Sequence, residues 1–412
     1  MEVSKLYLIR KDSLARALFF TGMILAYVTS LHPWFSWNYR PHLYLMSAML
    51  LIGSMLIDRQ TSHSIFSNRN FLLPWGATIL MLIYDLLVHD ANFNGYVTTL
   101  FHVCIFLAIY RADFSLFRSL STKLARIMAV FLLFSVLAFF LYLLGFSLPH
   151  SNIEHPGGTY SFTNYYLFLL DDRFMLAIIP RFHSITLEPG HLGSALTVLL
   201  MSQSGRWGRW YNIILIGVSL LTLSLAAYVL LFVGSFLTLW VRRGAVVKWI
   251  AASAVVLSLS GIAVVNYNDG ANMLNEMILL RLEMEDGELS GNNRVSDTFE
   301  REYDGFLHSS DLIFGRGNFE EKELHGNSGY QLFLYEFGLV GVILVFFMYG
   351  TALIYGTDRR ATLAAALVAV LLFLVRANPL WYFDFLGVYM IMCQNSSPGY
   401  LTDEELSENK EV

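Results

Sequence analysis

The chain has 412 residues, of which 56% are hydrophobic and only 14% charged, and its net charge is −5. Soluble domains carry about 25% charge, so this balance excludes an ordinary soluble globule, a disordered chain and a basic nucleic-acid-binding domain. What remains is a polytopic membrane protein, all-α in class, whose two cysteines, Cys104 and Cys393, both lie in apolar segments and indicate neither a disulfide framework nor a metal cluster.

The chain opens on a basic stretch, Lys5 to Arg16, that runs into the apolar Leu18 to Leu31. No small-residue cleavage site follows, so the sequence predicts an uncleaved first helix. A membrane span needs about 20 mostly apolar residues, fewer where it is buried among neighbours. By this test twelve spans are predicted near 14–31, 41–57, 71–88, 97–110, 124–147, 188–203, 210–223, 225–241, 246–265, 328–354, 359–375 and 379–394. Tyr211 to Trp240 is too long for one upright helix, and Leu223-Ser224 at its middle offers a turn.

With the N-terminus inside, the cytoplasmic segments hold 18 of the 27 basic residues, as the positive-inside rule requires. The other nine are Arg40, Arg173, Arg181, Arg281, Arg294, Arg301, Arg316, Lys322 and Arg376. Eight of these are arginine, whose planar fork grips phosphate and carboxylate. The predicted organisation is nine spans in 1–265 with an extracytoplasmic loop at 147–187, a large extracytoplasmic loop at 266–327, three spans in 328–395, and an acidic, disordered cytoplasmic tail at 396–412.

Loops as long as these two are functional or disordered, and both carry apolar residues at regular spacing. In the first, Arg181 and Glu188 stand at the mouth of a span, where charge is costly unless paired or used. Pro189 suits a first helical turn, while Gly190 and Gly193 allow close backbone approach. A plain ion pair between Arg181 and Glu188 at the helix entrance is the alternative.

In the second loop, Asn292 to Ser310 has helical spacing. It places Phe299, Tyr303 and Phe306 on one side and Arg294, Arg301 and His308 on the other. The aromatic side is predicted to pack on the bundle or the membrane surface. The other side is either a basic stripe or a solvated face paired with Glu300, Glu302 and Asp304. Residues 266–327 hold fourteen acidic against five basic residues, which disfavours a nucleic-acid partner and requires any anion to be bound locally. Phe314-Gly-Arg316-Gly-Asn is a glycine-flanked turn that presents an arginine, and His325, Asn327 and Tyr330 follow just above the next span. Glu336, inside that span, requires a partner, for which Arg376 is one candidate.

These residues form a series: Arg181-x6-Glu188-Pro-Gly-x-x-Gly193, Leu221-Thr-Leu-Ser224 inside a split apolar run, Asn293-Arg294, Ile313-Phe-Gly-Arg-Gly317, and Asn327-Ser328-x9-Gly338-x2-Gly341. The series resembles the bacterial O-antigen polymerase and O-antigen ligase family, from about Arg173 to Gly341. The resemblance implies a GT-C-like integral membrane glycosyltransferase of the cytoplasmic membrane that works without metal or cofactor. It would transfer an oligosaccharide from undecaprenyl diphosphate to an acceptor sugar on the outer side. Polymerases use a second lipid-linked repeat unit as acceptor, beside a flippase and a chain-length regulator; ligases use lipid A-core. The ligase pattern begins its last motif with His, whereas here Asn327-Ser328 stands there with His325 two residues earlier. This departure favours the polymerase, with ligase as the alternative. The family's Ser-Arg-Gly after the split span reads Ser224-Leu-Ala, so an inner arginine is missing.

The resemblance and the residue types together nominate Arg181 and Arg294, with Arg301 or Arg316, to clamp the diphosphate. Glu188 or His325 would deprotonate or orient the acceptor, and Arg173, Asn327, Tyr330 and Arg376 complete the substrate-binding set. A transporter or flippase of lipid-linked sugar is the rival from another class. It is disfavoured because no internal repeat is visible and most outer charge lies in loops.

Overall fold

A computed structural model describes residues 2–59, 64–156, 160–172, 180–243, 266, 284–285, 288–289, 297–317, 329–375 and 380–395. The chain is mostly helical. The helices are α1 (Glu2–Ser30), α2 (Arg40–Asp58), α3 (Leu72–Val88), α4 (Phe93–Arg111), α5 (Phe114–Leu143), α6 (Pro189–Met201), α7 (Trp210–Leu221), α8 (Leu225–Arg243), α9 (Asp297–Leu307), α10 (Gly329–Leu353), α11 (Arg359–Val375) and α12 (Tyr382–Met392). Helices coincide with eleven of the twelve segments expected from hydropathy. The remaining segment, 246–265, lies outside the described residues, as do most of 266–327 and the tail from 396. Six of the helices are long and apolar enough to cross a membrane: α1, α2, α4, α5, α8 and α10.

Helix boundaries follow local chemistry. The Asn92 side chain caps α4 by accepting from the Gly95 N–H at 3.0 Å, and Asp113 caps α5 by accepting from Ser115 at 2.8 Å. The Asp113 cap starts α5 ten residues before the apolar run does. Leu223, with φ 47°, ends the α7 path and lets α8 begin at Leu225, where the sequence offered a turn.

Small residues and hydroxyls hold the helices together, as expected where no hydrophobic force acts between apolar helices in lipid. Ser47 and Ser54 of α2 donate to the Gly22 and Ala15 carbonyls of α1 at 2.8 and 2.6 Å. The Thr78 and Tyr110 hydroxyls meet at 2.7 Å between α3 and α4. At the centre lies α12, every residue of which is buried. Its eleven residues rise only about 16 Å, so its place is set by neighbours rather than by lipid. Gly387 gives it contact with Val198 of α6, and the Tyr382 hydroxyl hydrogen-bonds His102 of α4 at 2.7 Å.

The connections gather at two ends of the bundle. At one, Asp58 accepts from the Ile65 N–H, the Asn68 N–H donates to the Arg111 carbonyl, Ser121 meets Ser202, Ser204 donates to Gln394, and Arg242 donates to the Gly205 carbonyl. Arg111, Lys123 and Arg126 lie over the rings of Phe71, Phe20 and Tyr211 at this same end. The other end carries 31–39, 145–156, 160–172, 180–188, 221–224, 313–317 and Trp381, and the described parts of both regions that the sequence singles out for chemistry are there.

The first long loop departs from an all-helical reading. It folds as a three-stranded antiparallel sheet, β1 (Ser151–Glu154), β2 (Ser161–Asn164) and β3 (Leu169–Asp171), in the order β1-β2-β3. Phe162, Phe168 and Leu170 are buried beneath it, and Tyr165 stacks on Phe168 at 4.7 Å. Ser135 of α5 fixes the sheet by donating to the Leu167 carbonyl at 2.7 Å, and the Leu169 N–H donates to Ser184 at 2.8 Å.

Candidate functional site

The mouth of α6 is built by three converging segments. Glu188 is the N-cap of α6 in extended conformation, with Pro189 in the first turn. Arg181 reaches the carboxyl end of α7, where its Nε donates to the Thr222 carbonyl at 3.3 Å; the Phe182 N–H donates to Leu221 beside it. A cation is favourable at that negative helix end. Gly193 lets the two motifs meet, since a Cβ there would stand 2.9 Å from the Thr222 hydroxyl and closer still to Ala227. Thus Arg181-x6-Glu188-Pro-Gly-x-x-Gly193 and Leu221-Thr-Leu-Ser224, read separately in the sequence, form one site.

Both carboxylate oxygens of Glu188 face side chains. The Tyr160 hydroxyl donates to Oε1 at 3.1 Å, and His191 Nε2 lies 3.5 Å from Oε2. Around them stands an aromatic and imidazole wall. His191 is edge-on to Trp381 at 4.7 Å and to His32 at 5.7 Å, and Trp37 is edge-on to His155 at 5.0 Å. Arg40, at the start of α2, lies close enough to His155 to help burial depress its pKa. His191, His32, Trp37, Tyr160 and Trp381 were not nominated from the sequence. The available signal was their position: each falls at the outer end of a predicted span or in the first outer loop.

His183, also at this mouth, is buried, and its Nδ1 donates to the Thr186 carbonyl at 2.8 Å. Burial lowers its pKa from 6.5, so the folded chain holds it neutral. The unfolded chain takes up a proton near pH 6.5, so folding stability is unaffected above that pH and falls as pH drops below it toward the lowered folded value. In detergent, the melting temperature of wild type should therefore fall more between pH 7 and pH 5.5 than that of His183→Asn, whose amide can keep the bond to Thr186. Equal slopes would show that His183 titrates alike in both states.

The second region joins α9 to α10. Phe299, Tyr303 and Phe306 are buried, as the spacing predicts, and pack on Tyr335 of α10. Arg301 and His308 are exposed on the opposite side, and Tyr330 is exposed in the first turn of α10. Arg316 donates through Nε to Asp311 at 2.8 Å and through Nη1 to Glu302 at 3.4 Å, over the rings of Phe306 and Tyr335. Its side chain is only 32% exposed, and it ties α9 to α10.

The turn that carries Arg316 is inserted into a break in α10. Gly338 has φ 61° and ψ −170° inside the helix, which leaves carbonyls without their intrahelical donors. The Arg316 and Gly317 N–H groups donate to Tyr335 and Glu336 at 2.9 and 3.1 Å, and the Val340 N–H donates to Ile313 at 3.0 Å. Tyr84 of α3 shares its hydroxyl proton between the Phe314 and Phe337 carbonyls at 2.7 and 2.9 Å. Among the described residues His89 and Asp85 act electrostatically on Glu336, and they pair with each other at 3.0 Å; that hydrogen bond raises the His89 pKa.

Arg173, Arg294, His325, Asn327 and Arg376 lie outside the described residues. Among the described residues no three of His, Cys, Asp and Glu converge in a way that could hold a metal ion. No family model, curated protein or solved structure matches this chain.

Proposed function

We propose that this is a polysaccharide polymerase of the O-antigen polymerase type. It is a twelve-span, GT-C-like protein of the bacterial cytoplasmic membrane, with both termini inside and its site on the outer face. It transfers a glycan from undecaprenyl diphosphate to a second lipid-linked repeat unit, beside a flippase and a chain-length regulator. The observation that carries this reading is the convergence of Arg181, Glu188 and the split at Leu221–Ser224 on one mouth, opposite the end where Arg111, Lys123, Arg126 and Arg242 gather.

The chemistry follows from the groups present. An acceptor hydroxyl attacks the anomeric carbon, the carbon–oxygen bond to the diphosphate breaks, and the hydroxyl proton passes to the Glu188 carboxylate. The departing diphosphate gains negative charge, which Arg181 stabilises by charge-assisted hydrogen bonds, with Arg294 assigned the same task. Direct displacement inverts the configuration. The rings of Trp37, Tyr160 and Trp381 offer faces on which sugars stack.

Arg181→Ala should lower polymer yield about 100-fold while the protein still accumulates in the membrane. Arg181→Lys should recover part of the loss, since a point charge replaces the fork. Quantifying polymer and protein in the same membranes checks this, and a parallel fall of both would make Arg181 a structural cap of α7 instead.

A further inference from the structure

We propose that His191 is a positioning residue for this reaction: together with Tyr160, it fixes the orientation of the Glu188 carboxylate that receives the acceptor proton. The inference rests on the polymerase reading above and adds the residues that make Glu188 usable.

An aspartate at an N-cap ordinarily turns its side chain onto the first N–H groups of its own helix. Glu188 makes no such bond, and its side chain is 41% exposed. Instead each of its carboxylate oxygens faces a side chain. Tyr160 comes from the segment entering β2, so the small sheet of the first long loop serves to deliver a phenol to Oε1. His191, one turn into α6, faces Oε2.

The imidazole is itself confined. It is 11% exposed and enclosed by Trp381 at 4.7 Å, His32 at 5.7 Å and Phe383 at 6.2 Å, which come from the end of α1 and the start of α12. An exposed Glu–His pair at i,i+3 would contribute little to stability. Here the packing fixes the ring, and the ring then limits where the carboxylate can turn. A separation of 3.5 Å is long for a hydrogen bond, but such contacts shorten when substrate binds. A base displaced by about 1 Å loses up to about 100-fold in rate, so the residues that hold it are visible in kcat.

The test uses full-length protein in detergent or nanodiscs and a synthetic undecaprenyl-diphosphate repeat unit. His191→Phe, which keeps a flat ring without the nitrogen, should lower kcat about tenfold with KM changed less than about twofold. His191→Gln, whose amide can face the same oxygen, should return most of the rate, and Tyr160→Phe should lower kcat by a smaller factor. In a Glu188→Gln background, His191→Phe should cause no further loss, because the two act as one unit. Full activity of His191→Phe, an undiminished loss in the Glu188→Gln background, or a rise confined to KM would each overturn the inference while leaving the polymerase reading intact. A wild-type protein that extends no lipid-linked glycan would remove that reading, and this inference with it.

Discussion

Glu188→Gln is expected to lower polymer formation about 1,000-fold, with protein accumulation and melting temperature close to wild type. Glutamine has nearly the same shape and can still meet Tyr160 and His191, but it cannot accept a proton. Nor does the substitution disturb α6, because the Glu188 side chain does not cap that helix. The loss should appear in kcat, since the carboxylate acts on the hydroxyl in the transition state rather than anchoring the ground-state complex. Steady-state rates for the variant with a defined lipid-linked donor, beside a melting curve, check this. Near-normal turnover would mean that Glu188 is not the base.

The largest structural effect is expected at Gly338. Its φ of 61° with ψ of −170° is a conformation open essentially to glycine alone, and forcing another residue into it costs about 1–3 kcal/mol. A Cβ would also stand 2.6 Å from the Ile313 carbonyl and closer still to the Gly315 nitrogen. Gly338→Ala should therefore expel the 313–317 turn, leave the Tyr335 and Glu336 carbonyls without their donors, and lower the melting temperature by several degrees or prevent accumulation. Gly76→Ala is the control: no atom lies within 4 Å of that Cβ position in α3, and alanine favours a helix by about 0.5–1 kcal/mol. If both variants melt alike, the break in α10 is not a fixed element of the fold.

Much of this architecture is legible in the sequence for identifiable reasons. Runs of apolar residues mark the helices because the bilayer demands length and hydrophobicity. Leu223-Ser224 marks a break because the run around it is too long. The 3.6-residue period of Phe299, Tyr303 and Phe306 marks the buried face of α9 because three aromatics on one side must be covered. The glycines at 315, 317 and 338 were visible as motif positions. Their meeting was not, since Gly315 and Gly338 are 23 residues apart in the chain and nothing local records the contact.

Other features left weaker traces. Strands of three or four residues such as β1 to β3 are too short for an alternating pattern to emerge, so the sheet was not foreseen. The imidazole and indole wall joins residues from the end of α1, the start of α6 and the start of α12, brought together only by packing. Arg316 looked like an exposed cation because Glu302 reaches it only when α9 folds back on the turn, and no local pattern marks its pairing with Asp311.

Polymerisation is checked with purified wild-type protein supplied with a synthetic undecaprenyl-diphosphate repeat unit as sole substrate, the products being resolved by gel. A ladder spaced by one repeat unit, absent with Glu188→Gln, is the predicted result. No ladder with any matched repeat unit, or transfer seen only when lipid A-core is added, would contradict it.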